Sequence, residues 1–341
     1  MAPVTLGALV RKLNGSKDSS VESVYIQLAG IREGRTAAGK PFIDLEAADS
    51  TARVKFKIWS DSQAFTYLQQ SREGDVAELS GRFLVNDYGL NVNQPELEAL
   101  TDAQSDALLA GTPERQERLA LDWKLFQETF GSLQDARLRT VALLALESYE
   151  KKWKRAAAAR SYHHARRGGL LEHTAQMLRC AIALAPLYEE VTPDLLYCGV
   201  LFHDIGKLWE NDYAETGFTS QPVRKGELIG HITIGVEVAN RLWHEASQKD
   251  PAAFAPDGKP SPDLVRDHLL HLIVSHHGEL EFGSPVMPKT PEGWLLHHID
   301  NIDAKIEMLR GAYLESEEVA PGLVQAKRPM MGLIARPLSG G

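Results

Sequence analysis

The sequence predicts a protein of two domains, a small all-β barrel followed by a larger all-α domain. Apolar residues recur with period two between about Val21 and Val92, which is the signature of strands. From about residue 113 to Leu309 they recur at helical spacing instead. The chain has 341 residues, enough for two cores, and its 43% hydrophobic and 24% charged content is that of a globular protein.

Residues 18–96 are predicted as the barrel domain. The clearest strand is 53–59, in which apolar residues at 54, 56 and 58 alternate with basic residues at 53, 55 and 57. Turn signals such as Gly39-Lys40-Pro41 separate the strands, and a short helix is predicted at about 62–70, between the third strand and the fourth. Five short strands with one helix in that place indicate a Greek-key barrel of the OB type.

Residues 97–112 are polar and Ala-rich, and they are predicted as a linker. The helical domain, residues 113–318, opens with Thr112 as the N-cap and Pro113 in the first turn. Within it, residues 250–262 contain four prolines and are predicted as a surface loop. The tail, residues 319–341, shows no clear period, and its role is left open.

Composition points to the cytoplasm. The longest apolar run, Leu195–Phe202, is far too short to span a bilayer, and the first fifteen residues lack the apolar core of a signal peptide. Cys180 and Cys198 lack metal-ligand spacing and are expected to be reduced. We therefore expect a cytoplasmic protein with no membrane partner.

The charge pattern limits the kind of nucleic acid that could bind. A net charge of −9 argues against non-specific binding to duplex DNA. One local basic run exists, because no acidic residue lies between Glu150 and Glu172 while seven lysines and arginines do. This run is either a solvated helix face or a track that guides phosphates toward the histidines that follow.

The histidines are the strongest functional signal. All 12 lie between His163 and His298, and several form short polar clusters that interrupt apolar helical segments. Imidazole and carboxylate are ligands for borderline and hard divalent metals. Adjacent helical residues point about 100° apart, so His203 and Asp204 face one site from different directions, which suits Asp204 as a bridge between two ions. Two ions about 4 Å apart can activate a water and hold the oxygens of a phosphoryl group, which predicts a metal-dependent phosphoester hydrolase.

Lys207 is predicted to act beside Asp204, since it lies on the same helical face and can neutralise a phosphate oxygen. Asp204 and Lys207 are therefore the predicted catalytic pair.

Six segments in order resemble the YhaM-type 3′→5′ exoribonucleases of the HD superfamily of metal-dependent phosphohydrolases. They are GGLLEHT at 168–174, HDIGK at 203–207, GELIGH at 226–231, SHHG at 275–278, FGSP at 282–285 and LHHIDNIDAK at 296–305. The resemblance covers roughly residues 20–310, and it implies an OB fold ahead of an HD-type helical domain, the order that the periodicity also predicts.

The resemblance also implies a ligand set and a substrate. One ion would be held by His173, His203, Asp204 and Asp300, and the second by Asp204, His231, His276 and His277. The two divalent ions are expected to be Mn²⁺, with Co²⁺, Mg²⁺, Fe²⁺ and Zn²⁺ as alternatives. The expected activity is degradation of single-stranded RNA, and also of DNA, from the 3′ end to mononucleotides.

Further residues are predicted to contact the nucleic acid. Trp59 with Lys55 and Lys57 forms either a stacking platform with a basic rim or, alternatively, part of the packing under the following helix. The other predicted contacts lie beside the glycine turn or in the Pro288–Pro291 loop: His163, His164, Arg166, Arg167 and Lys289.

Two other functions fit the same sequence. One is an HD-type hydrolase of nucleotides or cyclic nucleotides, since metal ligands report the chemistry and not the leaving group. The other is a single-strand binding module without catalysis. A homo-oligomer is also compatible with the amphipathic helices.

Overall fold

The structure is a computed structural model that describes residues 4–13, 18–86, 89–158, 166–213, 217–218, 220–255, 260–315, 318–326 and 330–338. Two compact units emerge. The barrel unit comprises Met1–Gln116, Ala214–Thr219 and Met308–Gly341, and the helical unit comprises Glu117–Tyr213 and Ser220–Glu307. In the described part of the chain, no helix combines the length and the apolar character needed to cross a bilayer.

The barrel unit is built on a five-stranded antiparallel sheet. In chain order its elements are α1 (Leu6–Leu13), β1 (Ser19–Arg35), β2 (Pro41–Ala48), β3 (Arg53–Trp59), α2 (Gln63–Gln70), β4 (Val76–Asn86), β5 (Gly89–Ala99) and α3 (Asp102–Ala110). The strand order is β3-β2-β1-β4-β5, and the outer strands β3 and β5 also contact each other. Five strands with a helix between the third and the fourth are thus confirmed, as is the alternation in β3, where Phe56 and Ile58 are buried and the basic residues are exposed.

The barrel unit extends beyond both ends of the predicted barrel domain, residues 18–96. Leu6, Leu9 and Leu13 of α1 are buried in the core of the barrel, although they precede residue 18. Residues 97–112, predicted as a linker, contain the end of β5 and all of α3, which begins with a capping box between Thr101 and Gln104. Short amphipathic helices and strand ends carry too few apolar residues to show a period, so the sequence pattern did not reveal them.

In the described residues, the helices of the helical unit pack around a large apolar core. Its elements are α4 (Pro113–Gly131), α5 (Ala136–Trp153), α6 (Gly169–Leu184), α7 (Pro193–Phe202), α8 (Lys207–Glu210), the paired strands β6 (Asn211–Tyr213) and β7 (Ser220–Pro222), then α9 (Arg224–Lys249), α10 (Pro262–Ser275) and α11 (Pro291–Glu315). Trp123, Phe126 and Phe130 of α4 are buried in this core, as their spacing predicts. Helix α4 begins at the predicted proline, Pro113.

The C-terminal tail, to which the sequence assigns no structure, forms a small antiparallel sheet of three strands. These are β8 (Glu318–Ala320), β9 (Leu323–Ala326) and β10 (Gly332–Ala335), in the order β10-β9-β8.

Candidate metal centre

The helical unit brings together the seven residues that the sequence predicts as metal ligands. Asp204 follows α7 and lies at their centre: its Oδ1 is 3.5 Å from Nε2 of His231 and 3.8 Å from Nε2 of His276. Its Oδ2 is 3.3 Å from Nε2 of His203 and 3.9 Å from Nε2 of His173. Asp300 of α11 completes this side of the cluster, with Oδ1 3.4 Å from Nε2 of His173.

The donor atoms fall into two groups that meet at Asp204. In one group, ligand atoms of His173, His203 and Asp204 lie within 4.8 Å of one another, and all three residues are buried. In the other, those of His231, His276 and His277 meet the same limit. A carboxylate with one oxygen toward each group is placed to serve both.

Each of the five histidines is anchored through its Nδ1 atom. His203, His276 and His277 face backbone carbonyl oxygens, of Val200 at 2.8 Å, Ile273 at 2.7 Å and Phe282 at 2.8 Å. Since a carbonyl oxygen only accepts, these three rings donate from Nδ1 and keep a lone pair on Nε2.

The other two histidines face carboxylates. Nδ1 of His173 lies 2.7 Å from Asp303, and Nδ1 of His231 lies 3.3 Å from Glu210. Outward Nδ1 partners of this kind fix the tautomer and the ring plane of metal-ligating histidines.

A divalent cation fits this donor set. Oδ1 of Asp204 and Nε2 of His231 are both buried without a hydrogen-bond partner in the described residues, and they lie 3.5 Å apart. Burying two polar atoms without partners is costly, and a cation between them would satisfy both. Imidazole nitrogens mixed with carboxylate oxygens suit borderline divalent metals. The cluster indicates divalent metal binding.

The electrostatics of the cluster set the protonation of three of its donors. Burial would raise the pKa of Asp204, but the positive charge of Lys207 holds that pKa well below its usual value. Burial, with His203 and His277 nearby, holds the pKa of His276 well below the ordinary range, so its ring is neutral. Burial also lowers the pKa of His173, yet hydrogen bonds to Asp300 and Asp303 outweigh it and raise that pKa to about 9. A bound metal therefore has to displace the Nε2 proton of His173.

A cavity of about 220 Å³ opens onto the cluster. Its walls are Asp204, Lys207, His277, Phe282, His297, Asp300, Asn301 and Ala304. Nζ of Lys207 lies 2.7 Å from Oδ2 of Asp204, which places a positive charge between the buried carboxylate and the cavity. This is the position in which the sequence predicts Lys207.

Two glycines allow His231 to reach the cluster. A Cβ atom on Gly206 would lie 1.9 Å from the carbonyl oxygen of His231, so only glycine permits this approach. Gly230 has a φ of 70°, a conformation that favours glycine, and it interrupts α9 directly before His231.

An ion-pair cluster next to His173 joins α6 to α11. Arg166 donates to Glu172, its Nε lying 2.9 Å away, and to Glu307 at 2.8 Å. On the same two helices, Asp303 accepts from His173. These contacts hold His173 beside Asp300. Asp303 is not among the ligand or contact residues predicted from the sequence, although it lies one helical turn after Asp300 and so on the same face.

The structure places the predicted nucleic-acid contacts in different settings. Lys55, Lys57 and Trp59 are exposed on β3 of the barrel unit. Lys289 is exposed, Arg167 is half-buried, and Arg166 is held by its two carboxylates, the arrangement of a structural residue. His163 and His164 lie outside the described residues.

Comparison of this chain with known proteins identifies a matching family and similar relatives. The HD domain family matches residues 170–305, which include all seven ligand candidates. A protein named 3′-5′ exoribonuclease YhaM from Geobacillus sp. (strain WCH70) is 31% identical over 308 residues, 88% of this chain and 86% of the relative. Proteins of the same name are 29% identical in Bacillus subtilis (strain 168), over 87% of this chain and 88% of the relative, and 32% identical in Listeria monocytogenes (strain EGD-e), over 84% and 86%.

Replacing Gly206 with alanine is expected to destabilise the helical unit by about 1–3 kcal/mol and to weaken metal binding, because the new methyl group pushes His231 away. Thermal unfolding and Mn²⁺ titration measure the two effects. Gly131→Ala is the matched control, since a Cβ there meets no atom within 4 Å. Unchanged stability and metal affinity in Gly206→Ala would contradict this account of the glycine.

Asp303→Asn is expected to lower the affinity for Mn²⁺ roughly 10- to 100-fold, because the ring of His173 loses its charged partner. Metal content after dialysis and calorimetric titration measure the change. Asp267→Asn, an exposed carboxylate on α10, is the control. If both variants bind Mn²⁺ as the unaltered protein does, Asp303 has no role in positioning His173.

Proposed function

Because this chain belongs to the family of YhaM-type 3′-5′ exoribonucleases, we propose that it is a metal-dependent 3′→5′ exonuclease that degrades single-stranded RNA to mononucleotides. Single-stranded DNA is a second substrate in this proposal. The observation that carries it is the convergence of five Nδ1-anchored histidines on the buried carboxylate of Asp204.

Two divalent ions, with Mn²⁺ first, are proposed for this cluster, and Co²⁺, Mg²⁺, Fe²⁺ and Zn²⁺ are the alternatives to compare. His173, His203, Asp204 and Asp300 would hold one ion, and Asp204, His231, His276 and His277 the other. Such a pair supplies a water of lowered pKa and positive charge beside the scissile phosphate. The two donor groups that share Asp204 support the number of ions.

The chain's own residues then perform the remaining tasks. Lys207 lines the cavity and carries its charge within 2.7 Å of Asp204, so it can also neutralise a phosphate oxygen that enters there. Burial adds a second effect: in surroundings of low dielectric, this charge acts more strongly on a phosphate than it would in water. Asp204 orients the donors on both sides. Asp204 and Lys207 are therefore the proposed catalytic residues.

The barrel unit is proposed to hold the single strand. The rings of Trp59 and Phe42 meet edge to face, with centroids 5.8 Å apart, on the outer side of β2 and β3. Nζ of Lys57 lies 4.1 Å from the centroid of Phe42, and Lys55 is exposed on the same strand. Trp59 is 38% exposed, which favours the stacking platform over packing beneath α2.

The remaining sequence-based contacts, His163, His164, Arg167 and Lys289, stay predictions, as does a homo-oligomer. We propose a cytoplasmic location. The free thiols of Cys180 and Cys198 suit a reducing compartment.

A hydrolase of nucleotides or cyclic nucleotides is the second candidate. The small volume of the cavity favours it. At about 220 Å³ the cavity lies below the roughly 300–1,000 Å³ of most ligand pockets, so it has room for no more than one nucleotide. An exonuclease that removes one nucleotide at a time has the same requirement, so substrate assays have to separate the two.

The first test is incubation with 5′-labelled single-stranded RNA and Mn²⁺. We expect a ladder that shortens from the 3′ end, and a loss of about 10³-fold or more in Asp204→Ala, because several kcal/mol of metal-derived stabilisation disappear. Asp212→Ala, which removes an exposed carboxylate of the same unit, is the control.

Other outcomes of this assay are informative. Retained Mn²⁺-dependent activity in Asp204→Ala excludes the proposed mechanism. An intact RNA together with hydrolysis of mononucleotides favours the second candidate. Tight binding of RNA without cleavage in any divalent metal indicates a binding module.

Trp59→Ala is expected to raise KM for single-stranded RNA roughly 5- to 100-fold with little change in kcat, since stacking contributes about 1–3 kcal/mol per base. Steady-state kinetics on a 20-nucleotide RNA measure it. Val21→Ala is the control, because it trims another exposed apolar side chain of the barrel unit. An unchanged KM in Trp59→Ala would remove the platform from the proposal.

A further inference from the structure

The cavity beside the cluster presents three kinds of surface. Lys207 contributes a positive charge, and Phe282 contributes an aromatic ring that is 62% exposed. His297 and Asn301, on the same helix as the ligand Asp300, contribute polar groups that the metal set does not use. A 5′-nucleotide has the same three parts: a phosphate, a flat base and a sugar with a hydroxyl edge.

A hydrogen bond through Nδ1 orients the ring of His297. It is 8% exposed, and its Nδ1 lies 3.0 Å from the carbonyl oxygen of His276, so Nδ1 donates. Gly278 leaves room for the ring, since a Cβ there would lie 2.3 Å from it. In the neutral ring, Nε2 then carries a lone pair, and the hydrogen bond that His297 makes in the described part of the chain is the one through Nδ1.

An acceptor in this position selects among the parts of a nucleotide. A phosphate oxygen has no proton to donate to Nε2 of a neutral His297, whereas a sugar hydroxyl has one. Asn301 lies on the same helix one turn away, is exposed to the cavity, and offers both a donor and an acceptor. Together the two side chains match a pair of neighbouring hydroxyls.

We propose that His297 and Asn301 bind the hydroxyl edge of the 3′-terminal ribose. This inference rests on the proposed function, and it deepens it. Only the last nucleotide of an RNA strand carries both a free 2′- and a free 3′-hydroxyl, so these two residues recognise the end of the strand. Lys207 faces the phosphate of that nucleotide, and Phe282 lies where the base can stack.

Product binding tests the contact without reliance on cleavage. The Mn²⁺-loaded protein is titrated calorimetrically with 5′-AMP, 2′-deoxy-5′-AMP and 3′-deoxy-5′-AMP. We expect 5′-AMP to bind about fivefold to tenfold more tightly than at least one deoxy analogue, the effect of one hydrogen bond. The two analogues identify which hydroxyl is bound.

Two variants locate the contact. His297→Phe keeps roughly the ring volume and removes the Nε2 acceptor together with the Nδ1 donor to His276, so Mn²⁺ content is measured as a check on the metal site. Asn301→Ala shortens an exposed side chain. In each, the preference for the hydroxyl that it contacts is expected to fall to about onefold, with Mn²⁺ content unchanged. His298→Ala, an exposed neighbour outside the cavity wall, should keep the full preference.

The outcomes separate the inference from the function on which it rests. Equal binding of all three nucleotides by the unaltered protein overturns the inference, as does a preference that both variants retain. A preference that disappears in the variants, in a protein that leaves RNA intact, supports the hydroxyl contact and contradicts the exonuclease. The RNA ladder from the same preparation gives that second answer.

Discussion

The burial of one carboxylate organises the helical unit. Asp204 is 2% exposed, and a buried charge is tolerated only when it is paired. Lys207 neutralises one side of it, but the remaining neighbours are imidazoles turned so that their Nε2 atoms face inward. This carboxylate and the Nε2 lone pairs of His203, His276 and His277 concentrate electron pairs in a small volume. A divalent cation resolves this repulsion, so the stability of the cluster is linked to metal binding.

The positions of these side chains are set by contacts between helices that are distant in sequence. His173 and Asp303 are 130 residues apart, and Gly206 packs against the backbone of His231. Because the ligands sit on or next to helices of a large core, small shifts in packing are resisted, and a site on such a scaffold is held more precisely than one on loops. The glycines serve the same purpose by allowing backbones to approach.

The barrel unit depends on different physics. Its exposed face combines two aromatic rings with lysines, but Asp44 and Glu46 lie opposite Lys57 and Lys55 in the register of β2 and β3. For the proposed single-stranded substrate, such a mixed surface would give little net attraction for phosphates, which would leave stacking as the main source of affinity. Stacking accepts every base, so this face suits a substrate that is recognised as a strand and not as a sequence. In the proposed exonuclease, selection for a free end would then come from the cavity of the helical unit.

The sequence alone predicted some of the structural and site residues and not others. The period-two pattern predicted the barrel strands, and the ordered histidine segments predicted residues that the fold does bring together, because both signals are local. Asp303 and Glu210 escaped notice, since a carboxylate that orients a ring looks in sequence like any surface acid. Arg166 also shows that a local sequence pattern does not reveal partners that are distant in sequence. Its basic neighbours suggested a phosphate track, yet one of its partners, Glu307, lies 141 residues away, and no local pattern could have predicted that pair. Arg166 pairs with Glu172 of α6 and Glu307 of α11, and it thereby links the two helices. This link holds His173 of α6 in position for metal binding.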